Sequence, residues 1–239
     1  MAYNKTNLEK LYENLTIDDE ESEGIIVATE AGQERKESFV LVGRFLTEKN
    51  INFQAMQNVV TSLWRPKEGV EIHDIGGYRY SVVFYHIMDL QKFLDGRPWS
   101  FEQNMLVYHQ MQDTEDAHQV VLNDVDIWVQ VHDIPKGFIS ETVLKTIGDF
   151  VGQYVKSDPV NFDCTWKSFV RIRVRMNIQK PLKRRMKIKC EGGNWSWVNF
   201  KYERLGSFCF VCGIIGHTER ECNVIYAHPD KEVERAYGF

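Results

Sequence analysis

Apolar positions change period several times along the chain. Leu8, Leu11, Tyr12 and Leu15 recur at i, i+3, i+4 and i+7, the spacing of a short amphipathic helix. The acidic run DDEESE, Asp18 to Glu23, follows and reads as a solvated linker, so 1–37 forms an N-terminal helix and linker. FVLVGRFL, from Phe39, reads as a strand. INFQAMQNVVTSLW reads as a helix with Ile51, Ala55, Val59, Ser62 and Leu63 along one side. VEIHDI and YRYSVVFYH flank Gly76-Gly77, a hairpin signal. MDLQKFLDG is a short helix ended by Gly96, and WSFEQNMLVYHQM closes with a strand or a hairpin. The predicted order over 38–118 is βαββαβ.

A second block, 119–204, starts with the strand VDIWVQVHDIP, ended by Pro135. Ile139-Ser140 reads as a hydrophobic staple and N-cap, with Leu144 as the staple's partner. Val143, Leu144, Ile147, Phe150, Val151, Tyr154 and Val155 then fall at helical spacing. In FVRIRVRMNI, Val170, Ile172, Val174, Met176 and Ile178 point one way and Arg171, Arg173 and Arg175 the other. RMKIKC repeats the alternation, with Arg185, Lys187 and Lys189 opposite Met186, Ile188 and Cys190. NWSWVNFKY places Trp195, Trp197, Asn199 and Lys201 on one side. If these strands pair, one face gathers six basic side chains beside two tryptophans, an array that could neutralise phosphates and stack bases. Lys183 and Arg184 join that basic set, and KPLKRRMK reads secondarily as a nuclear import signal.

Charge sharpens this picture. The net charge of the 239 residues is −5. Residues 1–164 hold 14 Lys/Arg against 27 Asp/Glu, whereas 165–204 hold 12 basic residues and only Glu191 and Glu203. A basic block in an acidic chain is an electrostatic footprint for polyanions. The alternative is a solvated sheet face, but such a face ordinarily mixes signs.

The chemistry-bearing motif is FCFVCGIIGHTEREC, Phe208 to Cys222. Cys209 and Cys212 are spaced to clamp one ion, and His217 and Cys222 complete a tetrahedron of three thiolates and one imidazole, the set zinc prefers in structural sites. Gly213 and Gly216 suit the turns. Four protein ligands leave no position for an activated water, so the ion is read as structural. The knuckle, 205–223, is expected to unfold alone if zinc is lost, and 224–239 is a tail. Phe210 is a candidate base-stacking residue, while Phe210, Ile214 and Ile215 alternatively form an apolar patch for a protein partner.

Catalytic motifs are missing from the sequence: no P-loop, GxSxG or HExxH. Asp124 and Asp126, or Asp113, Glu115 and Asp116, could be paired carboxylates, but acidic loop clusters are usually solvation. His228-Pro229-Asp230 suggests nothing. The chain is therefore read as a non-enzyme. No apolar run or h-region suggests a membrane span or a signal peptide, and Cys164 and Cys190 read as free thiols of a reducing compartment, nucleus or cytoplasm.

The order IWVQVHDIP, helix, basic strand, FKYERL and FCFVCGIIGH, with RPWSFEQNMLVYHQM upstream, resembles a plant family. Its members pair an uncharacterised, RRM-like N-terminal domain with a CCHC zinc knuckle. They resemble proteins of the first open reading frame of LINE-type retrotransposons, gag-like in character. The resemblance covers Leu8 to Cys222 and implies zinc binding through Cys209, Cys212, His217 and Cys222, nucleic-acid binding and no catalysis. Gly206 stands where the family usually has Pro and is expected to loosen the hinge into the knuckle. The expected fold is α+β: a ferredoxin-like/RRM-like βαββαβ domain, a second small α+β domain and a C-terminal CCHC zinc knuckle. RRMs stack bases on aromatics of the third strand. Tyr78, Tyr80, Val82 and Phe84 alternate there, but Arg79 breaks the RNP1 pattern and core packing is the simpler account. The expected partner is RNA or single-stranded DNA, bound with low sequence specificity. The alternative is a zinc-stabilised protein-interaction or self-association module.

Overall fold

The computed structural model describes residues 38–96, 98–163, 168–189, 192–227 and 235–237. These lie in one compact unit, Glu37–Phe239, distinct from Met1–Lys36. The expected helix at Leu8–Leu15, the DDEESE linker, Cys164, Cys190 and His228-Pro229-Asp230 lie outside the described residues.

The first block forms β1 (Phe39–Phe45), α1 (Phe53–Trp64), β2 (Val70–Gly76), β3 (Arg79–Phe84), α2 (Ile87–Asp95), β4 (Ser100–Phe101) and β5 (Asn104–Gln110). Its strands order as β2-β3-β1-β5-β4. The Asn52 side chain caps α1 by accepting from the Ala55 N–H at 3.0 Å. Leu41, Phe45, Ile72, Val82 and Phe84 pack with Met56, Val60 and Trp64 of α1 and Leu90 and Phe93 of α2. Trp64 and Phe93 meet edge to face, centroids 4.9 Å apart.

One expectation changes here, and one alternative closes. The buried stripe of α1 is Met56, Val60 and Trp64; Val59 and Leu63 are exposed. The helix carries two apolar stripes, and the one with the larger side chains meets the sheet. Tyr80, Val82 and Phe84 are buried in the same core as the helices, which removes them as stacking positions.

The second block forms β6 (Asp124–His132), α3 (Glu141–Val151), β7 (Gln153–Ser157), β8 (Phe169–Asn177), β9 (Arg185–Ile188) and β10 (Ser196–Tyr202). Its strands order as β7-β8-β6-β10-β9. Ser140 caps α3, accepting from the Val143 N–H at 3.4 Å. The helix ends at Val151, so Tyr154 and Val155, expected in it, belong to β7. At Gly152 a Cβ would collide with the Arg175 carbonyl of β8, so this close crossing requires glycine.

β8 and β9 do not pair. β6 and β10 lie between them, which separates the two basic strands by three strand spacings, roughly 14 Å. One continuous core joins Val125, Ile127, Val129 and Val131 of β6, Val170, Ile172 and Val174 of β8, Val198 and Phe200 of β10, and Leu144 and Ile147 of α3. Val42, Met105 and Val107 of the first sheet, on strand positions that alternate with its helix-facing residues, belong to this second core. No helix of the described residues is long and apolar enough to cross a membrane.

Candidate metal centre and basic surface

The knuckle begins as a small hairpin closed by a bridge between Phe208 and Ile215. Gly213 N–H bonds to Cys209 O at 2.9 Å and Cys209 N–H to Ile214 O at 3.1 Å, bringing Cys209 and Cys212 to one side of a tight turn. Gly213 and Gly216 have φ of 75° and 98°, which favours glycine. Thr218 then opens a short turn, Glu219–Glu221, with a reciprocal capping box to Glu221, and Cys222 follows it. His217 lies between the two turns.

The donor atoms of Cys209, Cys212, His217 and Cys222 all lie within 4.8 Å of one another. Cys212 Sγ is 3.3 Å from His217 Nε2. Bonds of roughly 2.3 Å to sulfur and 2.0–2.1 Å to nitrogen give a tetrahedron with edges of about 3.6–3.8 Å, so small shifts of the donors seat zinc. Cys209 and Cys222 are buried. Without a cation, burial pushes the Cys212 thiol up to about 12, with Cys209 and Cys222 adding to the rise. Burial also raises Cys222, but hydrogen bonds from His217 and backbone N–H groups outweigh it and bring that thiol down to about 7. One divalent ion would take all three sulfurs as thiolates. Among the described residues no other group of three His, Cys, Asp or Glu side chains is placed to hold a metal.

The knuckle is not a free tip. Ile215 is 4% exposed and belongs to the core shared by both sheets. Gly216 packs against Leu46, and a Cβ on Gly206 would meet the Gln103 carbonyl. Ser207 N–H bonds to Gln103 O at 2.9 Å, and Leu182 N–H to Gly213 O at 2.8 Å. Gly206 is thus a close-packing position rather than a loose hinge. Of the expected apolar patch, Ile215 is buried inside the protein and Ile214 is half-buried. Phe210 remains 40% exposed, beside Phe208.

The predicted basic residues divide into two groups. Arg171 donates to Glu203 at 2.7 and 2.9 Å and to Asp158 at 3.1 Å, and lies 4.4 Å from the Trp128 ring. Arg173 is 4% exposed and donates to the Leu94 carbonyl at the end of α2 at 2.5 Å. Arg175 forms a fork with Asp126 at 2.8 and 3.2 Å. The face expected to lack acids therefore has them: Asp126 and Asp158 come from outside the basic block, and Glu203 from its end. Only the register, Arg175 opposite Asp126 and Arg173 opposite Trp128, brings them together. Asp126, weighed as a metal carboxylate, is the partner of that fork.

The β9 group is different. Arg185, Lys187 and Lys189 are exposed and have no carboxylate partner among the described residues. Arg185 and Lys187 lie 4.4 and 4.9 Å from the Trp197 ring, and Lys189 lies 5.7 Å from Trp195. On the preceding link, Lys183 lies 5.3 Å from the Phe150 ring. Arg184 donates to Ala236 O and lies 5.5 Å from Tyr237.

Comparison with known proteins bears on both ends of this unit. Residues 33–119 match the family described as a domain of unknown function, DUF4283. Residues 176–224 match the zinc knuckle family. An uncharacterized protein of Arabidopsis thaliana is 25% identical over 135 residues, 56% of this chain and 42% of that relative. The chain thus spans less than half the length of this curated relative. Motif match and donor geometry agree: Cys209, Cys212, His217 and Cys222 form a CCHC knuckle for one structural zinc ion.

Proposed function

We propose that this is a non-catalytic, zinc-stabilised protein that binds nucleic acid, single-stranded RNA or DNA, with low sequence specificity. The observation that carries the reading is the row Arg185, Lys187 and Lys189, with no carboxylate partner among the described residues, in a fold whose β8 arginines are tied to carboxylates or buried. Phosphates are the polyanion such a row suits. The order β2-β3-β1-β5 with two helices supports a ferredoxin-like, RRM-like reading of the first block. It operates without the third-strand aromatics, since Tyr80 and Phe84 are buried. The knuckle beside a domain of this kind supports descent from a retrotransposon gag-like protein acting in the nucleus or cytoplasm. The zinc holds the fold, and the sheet supplies the charge.

The test is a salt-titrated binding assay on the zinc-loaded chain with RNA, single-stranded DNA and duplex DNA. Changing Arg185, Lys187 and Lys189 to Gln is expected to lower the slope of log K against log salt by about 2, at roughly 0.7 for each phosphate no longer neutralised. A slope unchanged by the triple substitution contradicts the reading.

A further inference from the structure

The basic row does not stand alone. Trp195 is 64% exposed and Trp197 45% exposed, the only two exposed tryptophans among the described residues. Trp197 stands where β10 pairs with β9, the strand that ends the sheet, and Trp195 directly precedes β10. Trp197 is in register with Lys187, and Asn199 with Arg185. Cations of β9 and its end therefore face the two indoles across a two-strand edge. Large exposed indoles beside cations with no carboxylate partner among the described residues are an informative surface feature. Their chemistry suits a ligand with flat π faces and a negative backbone.

Resting on the nucleic-acid reading above, we propose that this edge is a platform for two adjacent unpaired bases, one on Trp195 and one on Trp197, with phosphates at Arg185, Lys187 and Lys189. The spacing selects the ligand. Trp195 directly precedes β10 and Trp197 lies within it, and two residues of extended chain span about 6.6–6.8 Å. Neighbouring bases in a duplex are stacked at about 3.4 Å, half that distance. A duplex cannot present neighbouring bases to both indoles. A single strand with splayed bases can, and every base has a π face, so the platform discriminates pairing rather than sequence. Phe210 belongs to the knuckle and is not part of this edge.

The experiment compares three ligands on the full zinc-loaded chain: a short single strand, the same strand with two adjacent abasic sites, and its duplex. Trp195→Leu and Trp197→Leu, alone and together, are measured beside Phe210→Leu, with zinc content and circular dichroism as checks on folding. Each Trp→Leu change is expected to weaken single-strand binding about 5- to 150-fold, the equivalent of 1–3 kcal/mol per stacked base, and to leave duplex binding unchanged. Phe210→Leu is expected to have little effect. The abasic strand is expected to bind wild-type protein as weakly as the double variant binds the intact strand; this arm needs no mutation. Equal binding of intact and abasic strands, or a double variant that binds like wild type, overturns the platform while leaving nucleic-acid binding standing. If wild-type protein binds no oligonucleotide at low salt, the nucleic-acid reading falls and takes the platform with it.

Discussion

The two sheets of this protein have one strand order between them. β2-β3-β1-β5-β4 becomes β7-β8-β6-β10-β9 when each number is raised by five, and every pair is antiparallel. They differ in the link between the third and fourth strands. In the first sheet that link contains α2, whose Leu90 and Phe93 close the core against Trp64 and Phe84. In the second sheet, the link from β8 to β9 is the short loop 178–184. Leu182 and Ile178 from that loop, Ile215 from the knuckle, and Val42, Met105 and Val107 from the first sheet complete the second core instead. The first sheet thus builds its core from its own block. The second borrows part of its core, and one of the borrowed pieces is held by a metal.

That difference can be broken most severely at the zinc. A structural zinc site in comparable peptides contributes roughly 10–16 kcal/mol of apparent binding energy. Cys212→Ser, or chelation, is expected to lower the melting temperature of the second sheet together with the knuckle, in one cooperative transition. The sequence alone suggested a knuckle that unfolds by itself; Ile215 in the shared core argues for coupling. A melt in which only the knuckle unfolds would restore the simpler view. A smaller break is Ile215→Ala, expected to cost about 2–5 kcal/mol by cavity formation while the zinc stays bound. Phe210→Ala, at an exposed neighbour, is expected to cost far less. Chemical denaturation of the two variants, with zinc content measured in parallel, checks the contrast.

The smallest effect concerns the tie between the blocks. Lys156 of β7 pairs with Asp95 of α2 at 2.6 Å. Lys156, then Gln91, hold the Asp95 carboxyl below its usual range by hydrogen bonding. A depressed carboxyl stabilises the fold above its unfolded pKa and loses that contribution as pH falls through its folded pKa. The stability difference between wild type and Asp95→Asn is therefore expected to shrink as pH drops below about 4. Both side chains are nearly half exposed, so the effect is small at neutral pH. Urea titrations at neutral and acid pH read it directly.

Much of this architecture was legible from period and spacing. The switch between periods of 3.6 and 2 placed β1, α1, β2, β3, α2 and the β4–β5 hairpin, because those signals are local. The four zinc ligands were legible because a tight turn fixes their separation. What escaped was non-local. The helix pattern ran on through Tyr154 and Val155, since nothing local announces that Gly152 crosses close to β8. The arginines of β8 looked free because Asp126, Asp158 and Glu203 become neighbours only through strand order and register. Ile215 looked exposed because a knuckle sequence does not say what it is docked against.

Hydrogen exchange with and without a zinc chelator tests the borrowed core most directly. If the second core depends on the zinc-held knuckle, chelation removes amide protection from Ser207–Gly216 and also from β6, β8 and β10, while the β1–β3 pairing and α1 keep theirs. Loss of protection confined to the knuckle, with β6, β8 and β10 unchanged, would contradict it.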